Sequence, residues 1–136
     1  MIARWRDLLT VTLAVSAGVH AALAPEHWRE RPLLGLGFAA AAAALGAGVV
    51  WVQAAPSPLA ARFALGLLGG LTALYLASRI HGLPVTGREE WDVVGAATQA
   101  VQLAGIAVAA LLARSKHASK PALATRGGAH AHPTHA

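Results

Sequence analysis

Four long runs of apolar residues, separated by short polar segments, organise this sequence. The runs cover roughly residues 8–24, 33–53, 63–82 and 93–113. At about 1.5 Å per residue, helices of this length match a hydrocarbon core of about 30 Å, with the first run only just long enough. None of the runs alternates apolar and polar positions, so membrane-spanning strands are not indicated. The pattern predicts an all-α, four-helix transmembrane bundle.

The segments outside these runs set the domain organisation. Residues 1–113 are predicted to form one transmembrane domain, and residues 114–136 a flexible cytoplasmic tail that is polar and rich in Ala, Gly and Pro. The basic start and apolar middle of the first run resemble a signal peptide, with a possible cleavage after Ala24. Pro25 would then follow the cut, which signal peptidases tolerate badly. The segment is therefore predicted to stay as the first membrane helix.

Composition and charge narrow the function classes. Hydrophobic residues make up 56% of the chain and charged residues 12%, and the formal net charge is +5. The basic residues flank the apolar runs and form no face with interleaved aromatic residues, so nucleic-acid binding is not predicted. Cysteine is absent, which excludes disulfides and thiolate metal sites.

The uneven distribution of basic residues predicts the orientation. If all four runs span, one side of the membrane receives both ends of the chain and the loop 54–62. That side holds seven of the eleven basic residues: Arg4, Arg6, Arg62, Arg114, Lys116, Lys120 and Arg126. Lys and Arg favour the cytoplasmic side. Both termini are therefore predicted to be cytoplasmic in the inner (plasma) membrane, and the two acidic loops to face outward.

Polar residues inside the apolar runs gather towards the predicted outer side. Such residues are costly in lipid unless they face a partner or water. We expect the first, third and fourth helices to converge on an outward-facing polar pocket, while the second supplies a smooth packing surface. Arg79 would be costly without a counter-charge, so we expect Asp92 or Glu26 to pair with it. The predicted structural polar cluster consists of Ser16, Tyr75, Arg79, Asp92, Gln99 and Gln102.

The stretch "HAALAPEHWRERP" (residues 20–32) joins the first two runs. Pro25 disfavours helix at the residue before it, so the first helix is predicted to end near Ala24. Pro32 suits the first turn of the second helix. The segment between them is expected to be an outer loop, with Trp28 in the membrane interface.

Small residues recur at spacings that let helices approach closely. The second run contains "GLGFAAAAAALGAG" (residues 35–48). Gly66 and Gly70 stand four apart on the third run, and Ala14, Gly18 and Ala22 share that spacing on the first. Packing inside the bundle is one interpretation, and oligomerisation is the other.

The histidines suggest two kinds of cofactor site. His20, Glu26, His27 and His81 could bind Cu²⁺ or Zn²⁺, since imidazole and carboxylate suit both ions. Alternatively, His20 hydrogen-bonds a neighbouring helix and the loop histidines are solvated. A haem held by His20 and His81 is a further possibility. The tail histidines His117, His130, His132 and His135 resemble a weak metal-binding tract.

No hydrolase triad, nucleotide-binding loop or metalloprotease motif appears, and no carboxylate lies in mid-membrane as a proton-coupled transporter would require. The chain is therefore predicted to be a non-enzymatic accessory or interaction subunit of a membrane assembly. Its expected partners are the lipid bilayer and another membrane protein or further copies of itself. A copper- or zinc-handling protein is the first alternative, and a small haem or quinone protein the second.

The segments "HAALAPEHWRERPLLGLGF" and "LYLASRIHGLPVTGREEWDVVG" carry a family resemblance. Over roughly residues 19–103 the chain resembles an uncharacterised family of small four-helix integral membrane proteins of high-GC bacteria. The resemblance implies the four-helix fold and the importance of the outer face, and it implies no mechanism. It depends on His20, Pro25, Glu26, His27, Pro32, Ser78, Arg79, Gly82, Leu83, Pro84, Trp91 and Gly95.

Overall fold

A computed structural model describes residues 1–84 and 87–115, and within them it contains four α-helices and no extended strand. The helices are α1 (Ile2–Glu30), α2 (Pro32–Ala54), α3 (Pro58–Ile80) and α4 (Val93–Arg114). Each is long and apolar enough to cross a membrane. The prediction of an all-α fold with four candidate membrane spans is therefore confirmed. The predicted flexible tail was to begin at residue 114, but Arg114 is the last residue of α4. The rest of that prediction, including the four tail histidines, concerns residues 116–136, which lie outside the described residues.

The helices form a closed bundle in which sequence neighbours are also neighbours in space. α1 packs against α2, α2 against α3, α3 against α4, and α4 returns to α1. Short connections make consecutive helices antiparallel, so one end of the bundle holds the start of α1 and the end of α4. We call this the terminal end. We call the opposite end the acidic end; it comprises the α1–α2 junction and the α3–α4 loop (81–92).

The tightly packed core lies in the terminal half of the bundle. Leu9, Leu13, Leu45 and Leu68 are fully buried there, and Val108 is nearly so. Near the terminal end, the Gln53 amide donates a hydrogen bond to the Thr10 hydroxyl across 2.8 Å, which joins α2 to α1. Among the described residues, no comparable apolar core fills the acidic half: the largest fully buried side chain that borders this half is the polar Gln102. The two halves of the bundle are therefore packed differently.

The expectation that the first helix ends near Ala24 is wrong. α1 continues through Pro25 to Glu30, and residues 26–30 are helical rather than an outer loop. Proline removes only one helical hydrogen bond, and the remaining bonds keep the helix going. A single extended residue, Arg31 (φ −149°, ψ 102°), then reverses the chain into α2. Pro32 begins α2, as predicted.

Close helix contacts depend on Gly35, which lies in the small-residue stretch of the second run, and on Gly105, which was not singled out. A Cβ atom at Gly35 would collide with the backbone of Trp28, so this glycine permits the tight α1–α2 hairpin. Gly105 likewise lies against Thr12 and Leu68. By contrast, nothing lies within 4 Å of a Cβ atom built at Gly66, Gly70 or Gly18. The interpretation that these three glycines pack the bundle internally is therefore wrong for this arrangement of helices.

Side-chain caps fix the starts of α3 and α4. The Ser57 hydroxyl accepts a hydrogen bond from the Ala60 N–H, and Pro58 occupies the first turn, so α3 begins earlier than the apolar run at 63 indicated. The Asp92 carboxylate accepts a hydrogen bond from the Gly95 N–H and caps α4. At the other end of α3, Gly82 (φ +78°) turns the chain into the loop 81–92.

Candidate functional site

The guanidinium of Arg79 organises the acidic end. Arg79 is only 9% exposed. Its Nη2 atom donates to the Asp92 carboxylate at 2.6 Å, and Nη1 lies 3.4 Å from the Glu89 carboxylate. Nη1 also donates to the Glu90 backbone carbonyl. The predicted pairing of Arg79 with a carboxylate is therefore confirmed for Asp92, and Glu89 takes the second place that the sequence assigned to Glu26.

Further contacts at Arg79 attach the loop 81–92 to the end of α3. The Arg88 Nε–H donates to the Arg79 backbone carbonyl at 3.0 Å, and the Glu89 N–H donates to the Ser78 carbonyl at 3.2 Å. The guanidinium also lies over the Tyr75 ring, 4.8 Å from its centroid. The loop thus folds back on α3, and it holds Glu89 and Asp92 beside the guanidinium.

Asp92 connects this cluster to α4. One carboxylate oxygen accepts from the Gly95 N–H at 2.6 Å, while the other accepts from Arg79. Gly95 also allows close packing, because a Cβ atom there would come within 2.8 Å of the Tyr75 hydroxyl. The register between α3 and α4 therefore depends on one aspartate, one arginine and a glycine–tyrosine contact.

A cleft of about 600 Å³ opens in the acidic half of the bundle. This acidic cleft lies where the sequence predicted a polar pocket, and α1, α3 and α4 contribute to it as expected. The prediction that the second helix offers only a packing surface is incomplete, because α2 supplies part of the wall. The polar residues that line the acidic cleft are His20, Glu26, His27, Glu30, Tyr75, Ser78, Arg79, Glu89, Glu90, Asp92, Thr98, Gln99 and Gln102.

Phe38 is a cleft residue that sequence reasoning missed, and Glu30, Glu89 and Glu90 also line the cleft without having been predicted there. The Phe38 ring stacks on the His27 ring, with centroids 4.1 Å apart, and it contacts the His20 ring at 5.4 Å. The available signal was the antiparallel hairpin of α1 and α2, which turns at Arg31. Position 38 is seven residues after the turn, so it lies beside position 24, which is seven residues before the turn and between His20 and His27 in the sequence. That signal could be read only if α1 was known to continue to Glu30.

In both His20 and His27, the ring nitrogen Nδ1 is hydrogen-bonded to a backbone carbonyl of α1. His20 Nδ1 lies 2.8 Å from the Ser16 backbone carbonyl, and His27 Nδ1 lies 2.9 Å from that of Leu23. A carbonyl only accepts, so Nδ1 donates in each ring, and Nε2 of a neutral ring is left as an acceptor. The alternative that His20 bonds a neighbouring helix is wrong, because its partner lies one turn earlier in α1.

Several residues that line the acidic cleft have buried polar atoms without a partner among the described residues. The Thr72 hydroxyl donates to Gln102 Oε1 at 3.2 Å, but Gln102 Nε2 has no hydrogen-bond partner within residues 1–84 and 87–115, although Gln102 is completely buried. The other unpartnered atoms in the cleft lining are the Tyr75 hydroxyl, Arg79 Nε and Gln99 Oε1. A buried polar group normally pairs with protein or ordered water, so these atoms are the unsatisfied polar groups of the cleft lining. Ser16, also in the predicted cluster, is buried but lies outside the cleft lining.

The proposed cofactor ligands are only partly brought together. His20, Glu26 and His27 line the cleft, whereas His81 is exposed at the end of α3 and outside that lining. Within residues 1–84 and 87–115, no group of three or more His, Asp or Glu side chains is arranged to hold a metal ion. Copper or zinc binding thus stays a prediction without a ligand cluster in the described residues. The His20–His81 haem pair does not share this cleft.

The chain was compared with protein-family models, curated proteins and solved structures. No family model, curated protein or solved structure matches the chain.

Proposed function

We propose that this chain is a small, non-enzymatic multi-pass membrane protein that binds a small amphipathic molecule in its acidic cleft. The observation that carries the proposal is Gln102, a completely buried residue in the lining of a cleft of about 600 Å³, whose Nε2 donor has no partner among the described residues. Leaving such a donor unpaired costs about 1–3 kcal/mol. A ligand that supplied an acceptor would recover much of that cost.

The size and lining of the acidic cleft support this class of ligand. Small-molecule sites typically measure about 300–1,000 Å³, with mostly apolar walls and a few placed polar groups. Here Leu23, Phe38, Leu71 and Leu74 supply apolar wall, while the unpartnered polar atoms lie among them. A ligand with an apolar body and a polar head fits both surfaces.

A pair of glycine substitutions tests the proposal. Gly37 lines the cleft and Gly18 does not, and a Cβ atom at either position meets nothing within 4 Å. Native mass spectrometry of protein purified from membranes should show about one retained small molecule per chain. Gly37→Phe fills the cleft and should abolish that mass, whereas Gly18→Phe is the matched control and should keep it. Equal retention in both variants, or none in the parent protein, contradicts the proposal.

An accessory role in a larger membrane assembly is a second candidate. Gly18, Gly66 and Gly70 leave open surface on α1 and α3, and small residues let a further helix approach closely. This role is compatible with a ligand-binding cleft, since it uses other surfaces of the bundle.

A further inference from the structure

We infer that the ligand of the acidic cleft is an uncharged amphiphile whose polar head accepts hydrogen bonds through a carbonyl oxygen. This inference rests on the proposed function and specifies the chemical class of its ligand. Two buried side chains of the cleft lining carry it, Gln102 and Arg79, because each has an N–H donor without a partner among the described residues.

The deeper of the two donors belongs to Gln102 on α4. This residue is completely buried, and its Oε1 atom already accepts from the Thr72 hydroxyl at 3.2 Å. Its Nε2 atom has no partner within residues 1–84 and 87–115. An amide nitrogen only donates, so it is satisfied only by an acceptor.

The second donor belongs to Arg79, nearer the acidic end. Arg79 is 9% exposed, and its Nη1 and Nη2 atoms both contact residues of the loop 81–92. Its Nε atom has no partner among the described residues and, like Gln102 Nε2, it only donates. Thr72, the partner of Gln102, lies about two turns before Arg79 in α3, or about 10 Å along the helix axis. The lining therefore presents buried donors at two depths.

The other unpartnered atoms of the cleft lining leave donors in excess. The Tyr75 hydroxyl can donate or accept. Within the described part of the chain, Gln99 Oε1 is the one unpartnered buried atom of the lining that only accepts. The ligand head therefore has to supply acceptors. A carbonyl oxygen offers two lone pairs and no donor, whereas an ammonium offers donors alone.

The partners of Arg79 decide the charge of the ligand head. Among the described residues, Arg79 is the one lining residue with a formal positive charge. It is already paired with two carboxylates, Asp92 at 2.6 Å and Glu89 at 3.4 Å. A carboxylate or phosphate head at Gln102 would be buried without a counter-charge of its own, which is costly. An uncharged carbonyl meets the same donor without that cost.

The apolar walls of the acidic cleft limit how polar the rest of the ligand can be. Leu23, Phe38, Leu71 and Leu74 line it. Hydroxyl groups of a sugar-like head would face these side chains without partners, at a cost in free energy. An apolar body with few carbonyl groups suits both these walls and the volume of about 600 Å³.

A matched series of probes on one rigid apolar cage isolates the acceptor. 2-Adamantanone carries the carbonyl, and 2-methyleneadamantane replaces its oxygen by a CH₂ group of similar shape. 2-Adamantylammonium supplies only donors, and 2-adamantanecarboxylate is an anionic acceptor. Binding is measured by isothermal titration calorimetry on the full chain in dodecyl maltoside, an uncharged detergent. We expect the ketone to bind about tenfold more tightly than its methylene analogue, and the two charged probes to bind more weakly than the ketone. The signal must disappear in Gly37→Phe and persist in Gly18→Phe.

A glutamine variant locates the interaction. Gln102→Met keeps a side chain of similar size and removes the Nε2 donor. The ketone should then lose its advantage of about tenfold, while the methylene analogue binds as it does to the parent protein. Gln53→Met is the matched control and should keep the advantage, because Gln53 lies near the terminal end and outside the cleft lining. Comparing the two probes within one variant cancels any difference in how they partition into detergent.

Infrared spectroscopy detects the same hydrogen bond in the unaltered protein. The carbonyl stretch of ¹³C-labelled 2-adamantanone, taken from an isotope difference spectrum, should lie at lower frequency in the protein than in detergent alone, because a hydrogen bond weakens the C=O bond. The shift should be lost in Gln102→Met and kept in Gln53→Met. If Gln102→Met does not fold, the parent spectrum still decides, since an unshifted band overturns the inference.

The outcomes separate the two proposals. Equal binding of the ketone and its methylene analogue, sensitive to Gly37→Phe, overturns the carbonyl class and keeps a ligand-binding cleft. Tighter binding of either charged probe than of the ketone has the same consequence. Absence of Gly37-sensitive binding, together with no retained molecule, overturns both. If carbonyl binding is confirmed, mild alkaline hydrolysis of the molecule retained from membranes identifies its source: cleavage into an acid and an alcohol identifies a lipid ester, and an unchanged mass identifies a carbonyl compound without an ester.

Discussion

At the scale of single residues, Arg79 determines the structure of the acidic end. It lies near the end of α3, yet its guanidinium and backbone carbonyl contact Glu89, Glu90, Asp92 and Arg88. The planar guanidinium can donate in several directions at once, which a lysine ammonium does with less fixed geometry. The Arg79 guanidinium therefore contacts both the loop 81–92 and Asp92, the capping residue of α4.

Substitution of Arg79 measures how much its ion pairs and hydrogen bonds contribute to the free energy of unfolding. Arg79→Met keeps much of the apolar stem and removes the charged donors. We expect it to lower the free energy of unfolding by about 2–4 kcal/mol, because hydrogen bonds to charged groups contribute about 1.5–3 kcal/mol each. Thermal unfolding in detergent, followed by circular dichroism, measures the change. Arg29→Met is the control: Arg29 is exposed in the last turn of α1 and makes no ion pair with any described residue, so its loss should cost less than about 0.5 kcal/mol.

Equal stability of the two methionine variants would show that the Arg79 pairs add nothing to the fold. A reduced amount of Arg79→Met in the membrane, with normal stability of the protein that inserts, would instead assign Arg79 to insertion. Neither result is expected, because Arg79 is 9% exposed and its partners come from the loop and from α4.

The sequence was sufficient to predict part of the polar lining of the cleft, but not the glutamates Glu30, Glu89 and Glu90 or the aromatic wall. Arg79, Asp92, Gln99 and Gln102 are conspicuous because polar groups are costly near lipid, and that cost alone requires them to face one another. Phe38 carries no such signal, since a phenylalanine in a membrane helix is equally suited to lipid. Its contact with His27 depends on the geometry of the α1–α2 hairpin, which a loop after Ala24 would not produce.

At the scale of elements, the α1–α2 hairpin is where the helix boundary predicted from residue preferences differs most from the observed boundary. Proline lowers helix stability, and on that basis α1 was expected to end near Ala24. The structure keeps Pro25 inside α1 and turns the chain at Arg31 alone. The turn is supported by hydrogen bonds from the N–H groups of Leu34 and Gly35 to the Arg31 carbonyl, at 2.9 and 3.1 Å. The longer α1 carries His27 and Glu30 into the cleft wall.

A pair of alanine substitutions in α2 tests the hairpin. Gly35→Ala should destabilise the protein by about 1–3 kcal/mol, because the new methyl group meets the Trp28 backbone, which cannot move independently of α1. Gly37→Ala, two residues further along the same helix, meets nothing within 4 Å. It should be neutral or stabilise by up to about 1 kcal/mol through helix propensity. Thermal unfolding of both variants gives the comparison, and equal effects would contradict the close contact at Gly35.

At the scale of the whole molecule, the terminal half of the bundle contains the apolar core, and the acidic half contains the cleft for which binding is proposed. The fully buried leucines lie in the terminal half, where α1 and α2 are joined by the Gln53–Thr10 hydrogen bond. The acidic half is held by the Arg79 cluster and leaves the cleft open. Substitutions in the cleft wall therefore act on a region that contributes little of the apolar core, so changes in binding can be measured in a folded protein.

The orientation of the bundle then decides which compartment supplies the ligand. The ends of the chain and the loop 54–62 hold seven of the eleven basic residues, which predicts a cytoplasmic terminal end and an outward-facing cleft. The chain has no cysteine, so single cysteines can be introduced and labelled without background. In intact cells a membrane-impermeant maleimide should label Arg29→Cys and Glu90→Cys, and it should label Ala55→Cys only after lysis. The reverse pattern would place the acidic cleft in the cytoplasm, and the ligand would then have to come from inside the cell.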